Sequence, residues 1–286
     1  MPAKAPAGRK PRTTSKRPAP QKRRTVPQGR KKSRRKKKVN INPLLAVAIA
    51  AAVVFLLIIL PFRRTGTRDN TSGATVPDIP FSAFGIDISH NNSGPILWDS
   101  LMVLTDREGR TIRDLQSARH TRPVKFVFIK ATEGAAMRDP KFKTLWAEAG
   151  EHDIKRGAYH FFRSSKDGAV QARNFIATVG DLRHSDLPPV LDIETIHRGC
   201  SHKALNERAL VWLKNVEEHY RRTPIVYTSD DFAKNVLCKE ITDNYPIWIA
   251  HYKAERPVFQ GWEYWQFTDK ALVYGIQEPV DLNVRK

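Results

Sequence analysis

The stretch PPVLDIET, residues 188–195, decides the fold prediction because an apolar run ends there in two acids. Asp192 and Glu194 are two residues apart, so on a strand their side chains face the same side. Their Cα atoms are then roughly 6.6 Å apart, at about 3.3 Å per residue. A run of this kind is typical of a strand in a parallel sheet whose carboxyl end opens into a site.

Comparable runs surround this stretch, and segments with helical spacing of apolar residues separate several of them. Residues 142–153, 165–180 and 205–222 each place apolar side chains on one stripe. The alternation of strand and helix predicts an α/β fold with a parallel sheet covered by helices. The other strand candidates are FGIDIS (84–89), KFVFIKAT (125–132), RGAYHFF (156–162), PIVYTS (224–229), YPIWIAHY (245–252) and YWQFT (264–268).

An open sheet and a closed barrel both satisfy this alternation. The segment after residue 80 is short for eight complete βα units, which need about 250 residues. The last strands also leave little room for helices between them. A modified barrel therefore fits best, and the absence of a GxGxxG or phosphate-binding loop from the sequence weakens the nucleotide-binding open folds.

The first eighty residues differ in composition from the rest of the chain. The net charge is +20, but residues 1–39 contain 17 Lys and Arg and no Asp or Glu, and residues 40–78 contribute +1, which leaves +2 over residues 79–286. The basic segment has few large apolar side chains, which predicts a disordered tail over residues 1–40. The nearly neutral remainder argues against a general nucleic-acid surface there.

An uninterrupted apolar run, LLAVAIAAAVVFLLIIL, occupies residues 44–60. As a helix it spans roughly 26 Å, close to the hydrocarbon core of a bilayer. We predict a transmembrane signal anchor over 41–62, followed by a flexible linker over 63–80. A cleaved signal peptide is the alternative, but the run is long and no small-residue cleavage pattern follows it.

The distribution of positive charge predicts the orientation of this anchor. The basic excess precedes the apolar run, so the tail is expected in the cytoplasm and residues 81–286 outside it. We expect a single-pass membrane protein whose folded domain faces the periplasm or the cell surface. The tail also suits contact with anionic lipid headgroups.

Two further acids stand at comparable positions near strand ends. Asp87 ends the first apolar run, and Asp281 follows the last aromatic run. If the sheet closes, the first and last strands are neighbours and both acids approach the same mouth. A cap for Asp87 and a turn residue for Asp281 remain equally good interpretations of the spacing. Carboxylates in different surroundings can divide the acid and base roles of glycoside hydrolysis.

Aromatic side chains near the predicted strand ends suit a sugar groove, because sugar rings present apolar C–H faces. Tyr159, Trp248, Tyr252 and Trp265 are the candidates. Nearby, His160 and His251 are either polar substrate contacts or structural histidines.

Other site chemistries find little support in the sequence. Ser89 and His90 could join Asp192 in a triad, but no GxSxG elbow is present. No HExxH or zinc-like cysteine spacing occurs either, so neither a metal nor a cofactor is predicted. Cys200 and Cys238 could form one disulfide outside the cytoplasm, or remain two separate thiols.

Eight segments in order resemble glycoside hydrolase family 25, the Chalaropsis-type lysozymes. They are GIDISHNN (85–92), FVFIKATEG (126–134), RGAYHFF (156–162), PVLDIE (189–194), IVYTS (225–229), IWIAHY (247–252), YWQFT (264–268) and VDLN (280–283). The resemblance covers residues 81–286 and implies a modified TIM-like barrel with five βα units and three further strands. It also implies cleavage of the β-1,4 bond between N-acetylmuramic acid and N-acetylglucosamine in peptidoglycan.

The resemblance assigns roles to residues of this chain. Glu194 matches the general acid and Asp192 the second carboxylate, while Asp87 and Asp281 match two supporting acids. Groove-lining positions of the family fall on Tyr159, Trp248, Tyr252, Trp265 and Gln266.

Some features depart from the family pattern. Residues 101–122 look like an insertion, and the loop at 90–94 is longer than usual before Trp98. The related chitinase motif fails, because Leu187 and Val190 stand where it requires Asp. Two alternatives to the enzyme stay open: a membrane-anchored scaffold that binds peptidoglycan without cleaving it, and a tether whose basic tail binds nucleic acid.

Overall fold

The computed structural model describes residues 73–92, 94–253 and 256–286. The predicted tail (1–40), the predicted anchor (41–62) and most of the predicted linker lie outside these ranges. Within the ranges, no helix combines the length and apolar character needed to cross a bilayer.

The described chain alternates strands and helices, as the sequence predicts. The helices are α1 (Phe142–Ala149), α2 (Gly168–Val179), α3 (His202–Tyr220), α4 (Asp230–Asn235) and α5 (Lys239–Asn244), with 3₁₀ turns at Trp98–Ser100 and Leu115–Ser117. The strands are β1 (Ala83–Ile88), β2 (Met102–Thr105), β3 (Thr111–Ile112), β4 (His120–Glu133), β5 (Met137–Arg138), β6 (Lys155–Phe161), β7 (Val190–Asp192), β8 (Ile225–Ser229), β9 (Ile247–Ala250), β10 (Trp262–Ala271) and β11 (Val280–Arg285).

Eight of these strands close into a barrel in the order β1, β4, β6, β7, β8, β9, β10, β11. Neighbours from β1 through β10 run parallel, whereas β11 runs antiparallel to both β10 and β1. The first and last strands are therefore paired, as closure requires, and Asp87 lies opposite Asp281 in the register. The predicted TIM-like α/β barrel is therefore confirmed, and the alternative of an open sheet is wrong.

The connections differ in one respect from what the family resemblance implies. In the described residues four barrel strands, not five, are followed by α-helices: β4, β6, β7 and β8. The connection from β1 to β4 instead carries the 101–122 insertion, in which β2 pairs antiparallel with β3 and with the start of β4. Val103 and Leu104 are buried there, and the insertion adds a β-hairpin to the start of β4 in place of the helix of a βα unit.

The barrel interior is filled by large side chains that face small ones. A Cβ atom on Gly85 would lie 2.1 Å from the ring of Phe126, and one on Gly157 would lie 2.6 Å from the ring of Phe128. The glycines therefore leave the volume that the two rings occupy, which gives a packed core and not a pore. The inner cluster consists of Phe126, Phe128, Leu187, Val190, Ile225, Tyr227, Trp248 and Tyr264.

A second, larger cluster lies between the strands and the helices. Leu191 and Ile193 point into it, on the opposite side of their strand from Val190. Trp212 of α3 packs on Phe175 of α2 with ring centroids 5.2 Å apart. The alternation along β7 thus sends every second residue to the barrel interior, the side on which the acids lie.

Both cysteines are free thiols in the structure, Cys200 before α3 and Cys238 at the start of α5. The sequence left open whether these cysteines form a disulfide or remain separate thiols, and in the structure they are separate thiols. The Cys200 Sγ lies 3.4 Å from the carbonyl oxygen of Ser164, which gives it a local partner.

Candidate active site

The four acids singled out in the sequence line one cavity of about 270 Å³ at the carboxyl ends of the parallel strands. Because β11 runs the opposite way, its first residues lie at this same end, which brings Asp281 to the mouth. The full lining is Asp87, Ser89, Asn91, Lys130, Tyr159, Phe161, Asp192, Glu194, Tyr227, Trp248, Tyr252, Gln266 and Asp281.

Asp192 and Glu194 face the same side but differ in their access to water. The Ile193 N–H donates to the Tyr227 carbonyl at 2.8 Å, which extends the strand geometry past Asp192 and keeps Glu194 on the cavity side. Asp192 is buried, and its Oδ1 has no hydrogen-bond partner among the described residues. Glu194 is exposed at the mouth.

This difference in solvation separates the two carboxyl groups chemically. Burial raises the pKa of Asp192 well above its ordinary value, and the charge of Glu194 raises it further. Partial desolvation also raises the pKa of Glu194, but the positive charges of Lys130 and Arg163 oppose that rise. Burial therefore favours the protonated form of Asp192, whereas Glu194 has cations beside it that favour its ionised form.

Asp87 is held by two side-chain amides. Gln266 Nε2 and Asn283 Nδ2 each donate to Asp87 Oδ2 at 2.8 Å. Asn283 is in turn oriented by Trp248, whose Nε1 donates to Asn283 Oδ1 at 2.8 Å. One oxygen of Asp87 is thus saturated, and the carboxyl plane is fixed by partners that are themselves buried.

The hydroxyl groups of two tyrosines converge on the same glutamine. Tyr227 donates to Gln266 Oε1 at 2.7 Å, and Tyr252 donates to it at 2.6 Å. Tyr227 is buried, whereas Tyr252 is 53% exposed and offers a ring face at the mouth. A chain of hydrogen bonds therefore runs from an exposed aromatic side chain to the buried Asp87.

Asp87 and Asp281 form a hydrogen-bonded carboxyl pair. Burial raises the pKa of Asp87 to about 6, although its amide donors and Asp281 pull it down. Burial and the charge of Asp87 raise the pKa of Asp281 to about 9. The two raised pKa values belong to the pair, which therefore holds about one proton at neutral pH.

Four of the five predicted groove residues line this cavity: Tyr159, Trp248, Tyr252 and Gln266. Trp265 does not, and its predicted place in the groove is corrected by the structure. It is 1% exposed, packs against Trp262 and Phe267, and its Nε1 donates to the His251 carbonyl at 2.7 Å. Since Gln266 points into the barrel, its neighbour on the strand must point outward.

The structure adds cavity residues that the sequence reasoning had not selected. Tyr227, Lys130 and Phe161 all line the cavity, and each lies in a segment already recognised as a strand. Asn283 contacts Asp87 from the same strand as Asp281. Asn283 is two residues after Asp281. The alternation rule that placed Asp192 and Glu194 on one side of a strand therefore also predicts that Asn283 shares a side with Asp281.

The two candidate histidines lie outside the cavity lining. His160 is fully buried, with Nδ1 2.7 Å from Thr132 Oγ1 and Nε2 3.2 Å from Gln171 Oε1, and burial lowers its pKa to about 4. His251 contributes its carbonyl to the Trp265 bond and lies 3.9 Å from Asp230. For His160 the structural interpretation holds.

The described residues do not form the other kinds of site considered from the sequence, a Ser/His/Asp triad and a metal centre. Ser89 lines the cavity, but its Oγ accepts from the Asn91 N–H at 3.2 Å. His90 pairs through Nδ1 with Asp139, at 2.6 Å, and not with Asp192. Across the described ranges, no three His, Cys, Asp or Glu side chains are grouped as metal ligands.

Comparison with known proteins shows which proteins this chain resembles. YegX of Escherichia coli strain CFT073 is 43% identical over 164 residues, which are 56% of this chain and 59% of YegX. The N,O-diacetylmuramidase of a Chalaropsis species is 31% identical over 170 residues, 53% of this chain and 80% of that enzyme. The crystal structure of a bacterial lysozyme from Streptomyces coelicolor superimposes with a TM-score of 0.60 at 27% identity, over 72% of this chain and 92% of that one. Residues 86–276 match the model of glycosyl hydrolases family 25, and the chain belongs to that family.

Proposed function

We propose that this protein is a peptidoglycan hydrolase that cleaves the β-1,4 bond between N-acetylmuramic acid and N-acetylglucosamine. The observation that carries the proposal is a cavity lined by four acids, two of which lie side by side with opposite solvation. Similarity to a lysozyme and to an N,O-diacetylmuramidase supports this substrate class. Membership of the family supports the reaction class.

Glu194 is the proposed general acid, because it reaches the mouth where a glycosidic oxygen would lie. Partial desolvation raises its pKa, and Lys130 and Arg163 limit the rise, so that it can both give up and regain a proton. The burial of Asp192 argues that, before substrate binds, the proton lies on Asp192 and not on Glu194.

Substrate binding is proposed to move that proton. The free Oδ1 of Asp192 can accept a hydrogen bond from the N–H of a 2-acetamido group. Such a bond favours the ionised carboxylate, so the proton passes to Glu194. Glu194 then protonates the leaving oxygen while the acetamido oxygen attacks the anomeric carbon, with Asp192 stabilising the positive charge on the amide. A covalent bond from Asp192 to the sugar is the competing mechanism, which a trapped glycosyl adduct would reveal.

The remaining cavity residues are proposed to hold the sugar. Tyr252 offers an exposed ring, which suits the apolar face of a pyranose. The Asp87–Asp281 pair presents polar groups fixed by Gln266 and Asn283, which suits hydroxyl recognition. Each group is oriented before substrate arrives, so little ordering cost remains at binding.

Release of new reducing ends from purified peptidoglycan tests the proposal. The full-length chain, purified in detergent, is compared with Glu194→Gln and with Glu207→Gln, an exposed glutamate of α3. We expect new reducing-end muramic acid from the parent and the control, and a rate at least about 100-fold lower from Glu194→Gln. Wall binding without product from any of the three proteins would instead support the scaffold.

We further propose, from the sequence, that residues 41–62 anchor the chain with its N-terminus in the cytoplasm. The apolar run at 44–60 and the 17 basic residues before position 40 support this orientation. Protease added to intact spheroplasts should digest the domain and spare the tail. Digestion of the tail alone, or recovery of the chain in the soluble fraction, would contradict the anchor.

A further inference from the structure

A basic cluster stands beside Glu194 at one wall of the cavity. It consists of Lys130, Arg163 and Glu133, arranged around the ring of Phe161. Lys130 Nζ lies 4.9 Å from the ring centroid and the Arg163 guanidinium lies 4.6 Å from it. Phe161 and Lys130 both line the cavity, so the cluster borders the space that substrate would enter.

The acid in the cluster does not neutralise it. Glu133 Oε2 accepts from Lys130 at 2.8 Å, and Glu133 Oε1 accepts from Arg163 Nε at 2.9 Å and from its Nη2. One carboxylate is thus shared by two cations, and the cluster keeps a net positive charge. The Arg163 side chain is 47% exposed, so its remaining N–H groups reach solvent.

The backbone around Arg163 is built to hold it in this place. Gln171, which is fully buried, accepts from the Arg163 N–H at 2.8 Å and donates to the Arg163 carbonyl at 3.1 Å. Gly134 has a φ of 54°, and a Cβ atom there would lie 3.2 Å from Arg163 Cγ. The glycine therefore leaves room for the arginine stem, and the guanidinium is held in position before any ligand binds.

A cationic wall has a cost in a site whose proposed acid must carry a proton, because both cations lower the pKa of Glu194. The same cavity is lined by four acids, which would repel an anion elsewhere in the site. A fixed positive charge at one place in such a cavity is suited to a substrate that has an anionic group at one position on the sugar. N-acetylmuramic acid has such a group in the lactyl substituent on O3, as a free carboxylate or extended by a peptide that carries carboxylates.

We propose that Arg163, together with Lys130, is a specificity determinant that binds a carboxylate of the muramoyl substituent. The inference rests on the proposed function and names the part of the substrate that the basic cluster recognises. Guanidinium groups bind carboxylates with two parallel hydrogen bonds, and two cations on one aromatic ring fix the direction of approach. The neutral sugar N-acetylglucosamine offers these cations no carboxylate.

Binding measured by calorimetry tests the proposal on full-length Glu194→Gln protein, in which neither hydrolysis nor the pKa of Glu194 affects the result. The ligands are chitotetraose, the unsubstituted tetrasaccharide of alternating N-acetylglucosamine and N-acetylmuramic acid, and the same tetrasaccharide with its peptides. Arg163→Gln is added as the test variant. Arg119→Gln, at the other end of the barrel before β4, is the matched control.

We expect Arg163→Gln to weaken binding of the charged ligands about tenfold and to leave chitotetraose unchanged. If the variant binds the unsubstituted tetrasaccharide more weakly, the lactyl carboxylate is the group that Arg163 recognises. If only the peptide-bearing tetrasaccharide binds more weakly, the group is a peptide carboxylate. Equal loss for chitotetraose, or no loss for any ligand, would overturn the specificity role. If the parent neither cleaves peptidoglycan nor binds these ligands, the proposed function itself fails.

Discussion

Replacing Asp281 with Asn is expected to stabilise the protein at alkaline pH while it impairs the site. Asp281 hydrogen-bonds to Asp87, and its pKa is raised from 3.8 to about 9. A carboxyl group with a raised folded pKa stabilises the fold fully below its unfolded pKa, and this stabilisation is lost as pH rises toward the folded value. Asn retains a donor for Asp87 but has no proton to lose.

The size of the effect follows from proton linkage. Each pH unit between about 4 and about 9 removes roughly 1.4 kcal/mol of stability per extra proton that the folded state holds. From pH 5 to pH 8, Asp281→Asn should therefore gain about 4 kcal/mol relative to the parent, or roughly 10 °C in melting temperature for a domain of this size. Asp87, whose pKa is raised to about 6, adds a smaller loss of stability with rising pH, and this loss is complete near neutral pH.

Thermal unfolding at pH 5, 6, 7 and 8 measures this difference. Asp153→Asn, at a fully exposed side chain, is the control and should show no pH-dependent gain. Equal melting-temperature differences at pH 5 and pH 8 would refute the shared proton. Activity should fall in the Asp281 variant even where stability rises, which separates the two roles of the residue.

Replacing the buried Gln171 with Leu leaves the Arg163 N–H and carbonyl without their hydrogen-bond partner. We expect this change to lower the free energy of unfolding, measured by urea titration, by about 3 kcal/mol. A decrease of less than about 1 kcal/mol would show that water replaces the amide. Two titratable thiols should be found after unfolding without reductant, because Cys200 and Cys238 are free; finding none would indicate the disulfide that the sequence alone had left open.

Local patterns were enough to locate the barrel strands and the two acids of the D-x-E pair. The alternation rule that paired Asp192 with Glu194 needs only sequence spacing, and their shared face in the cavity follows it. The pairing of Asp87 with Asp281 needed one further assumption, closure of the sheet, which the register supports.

Features that depend on tertiary packing could not be predicted from local sequence patterns. Trp265 and Trp248 are both strand aromatics, yet only Trp248 faces the cavity, because register relative to the barrel axis decides the side. The 101–122 insertion was recognised as a departure from the family pattern, but its pairing with the start of β4 was not predicted. The pKa order of Asp192 and Glu194 follows from burial, which no local pattern reports.

The pairing of β1 with β11 also has a consequence for when the protein becomes active. The Ser82 N–H bonds to the Arg285 carbonyl at 2.7 Å, so the barrel closes between residues some 200 positions apart. Closure over such a separation is entropically costly and slow, and it requires the last strand to be present. A chain that is synthesised from its N-terminus therefore acquires the last of its four acids only when β11 has been made. A product that ends before β11 lacks Asp281 and the strand that carries it, so such a product should be inert toward the cell wall.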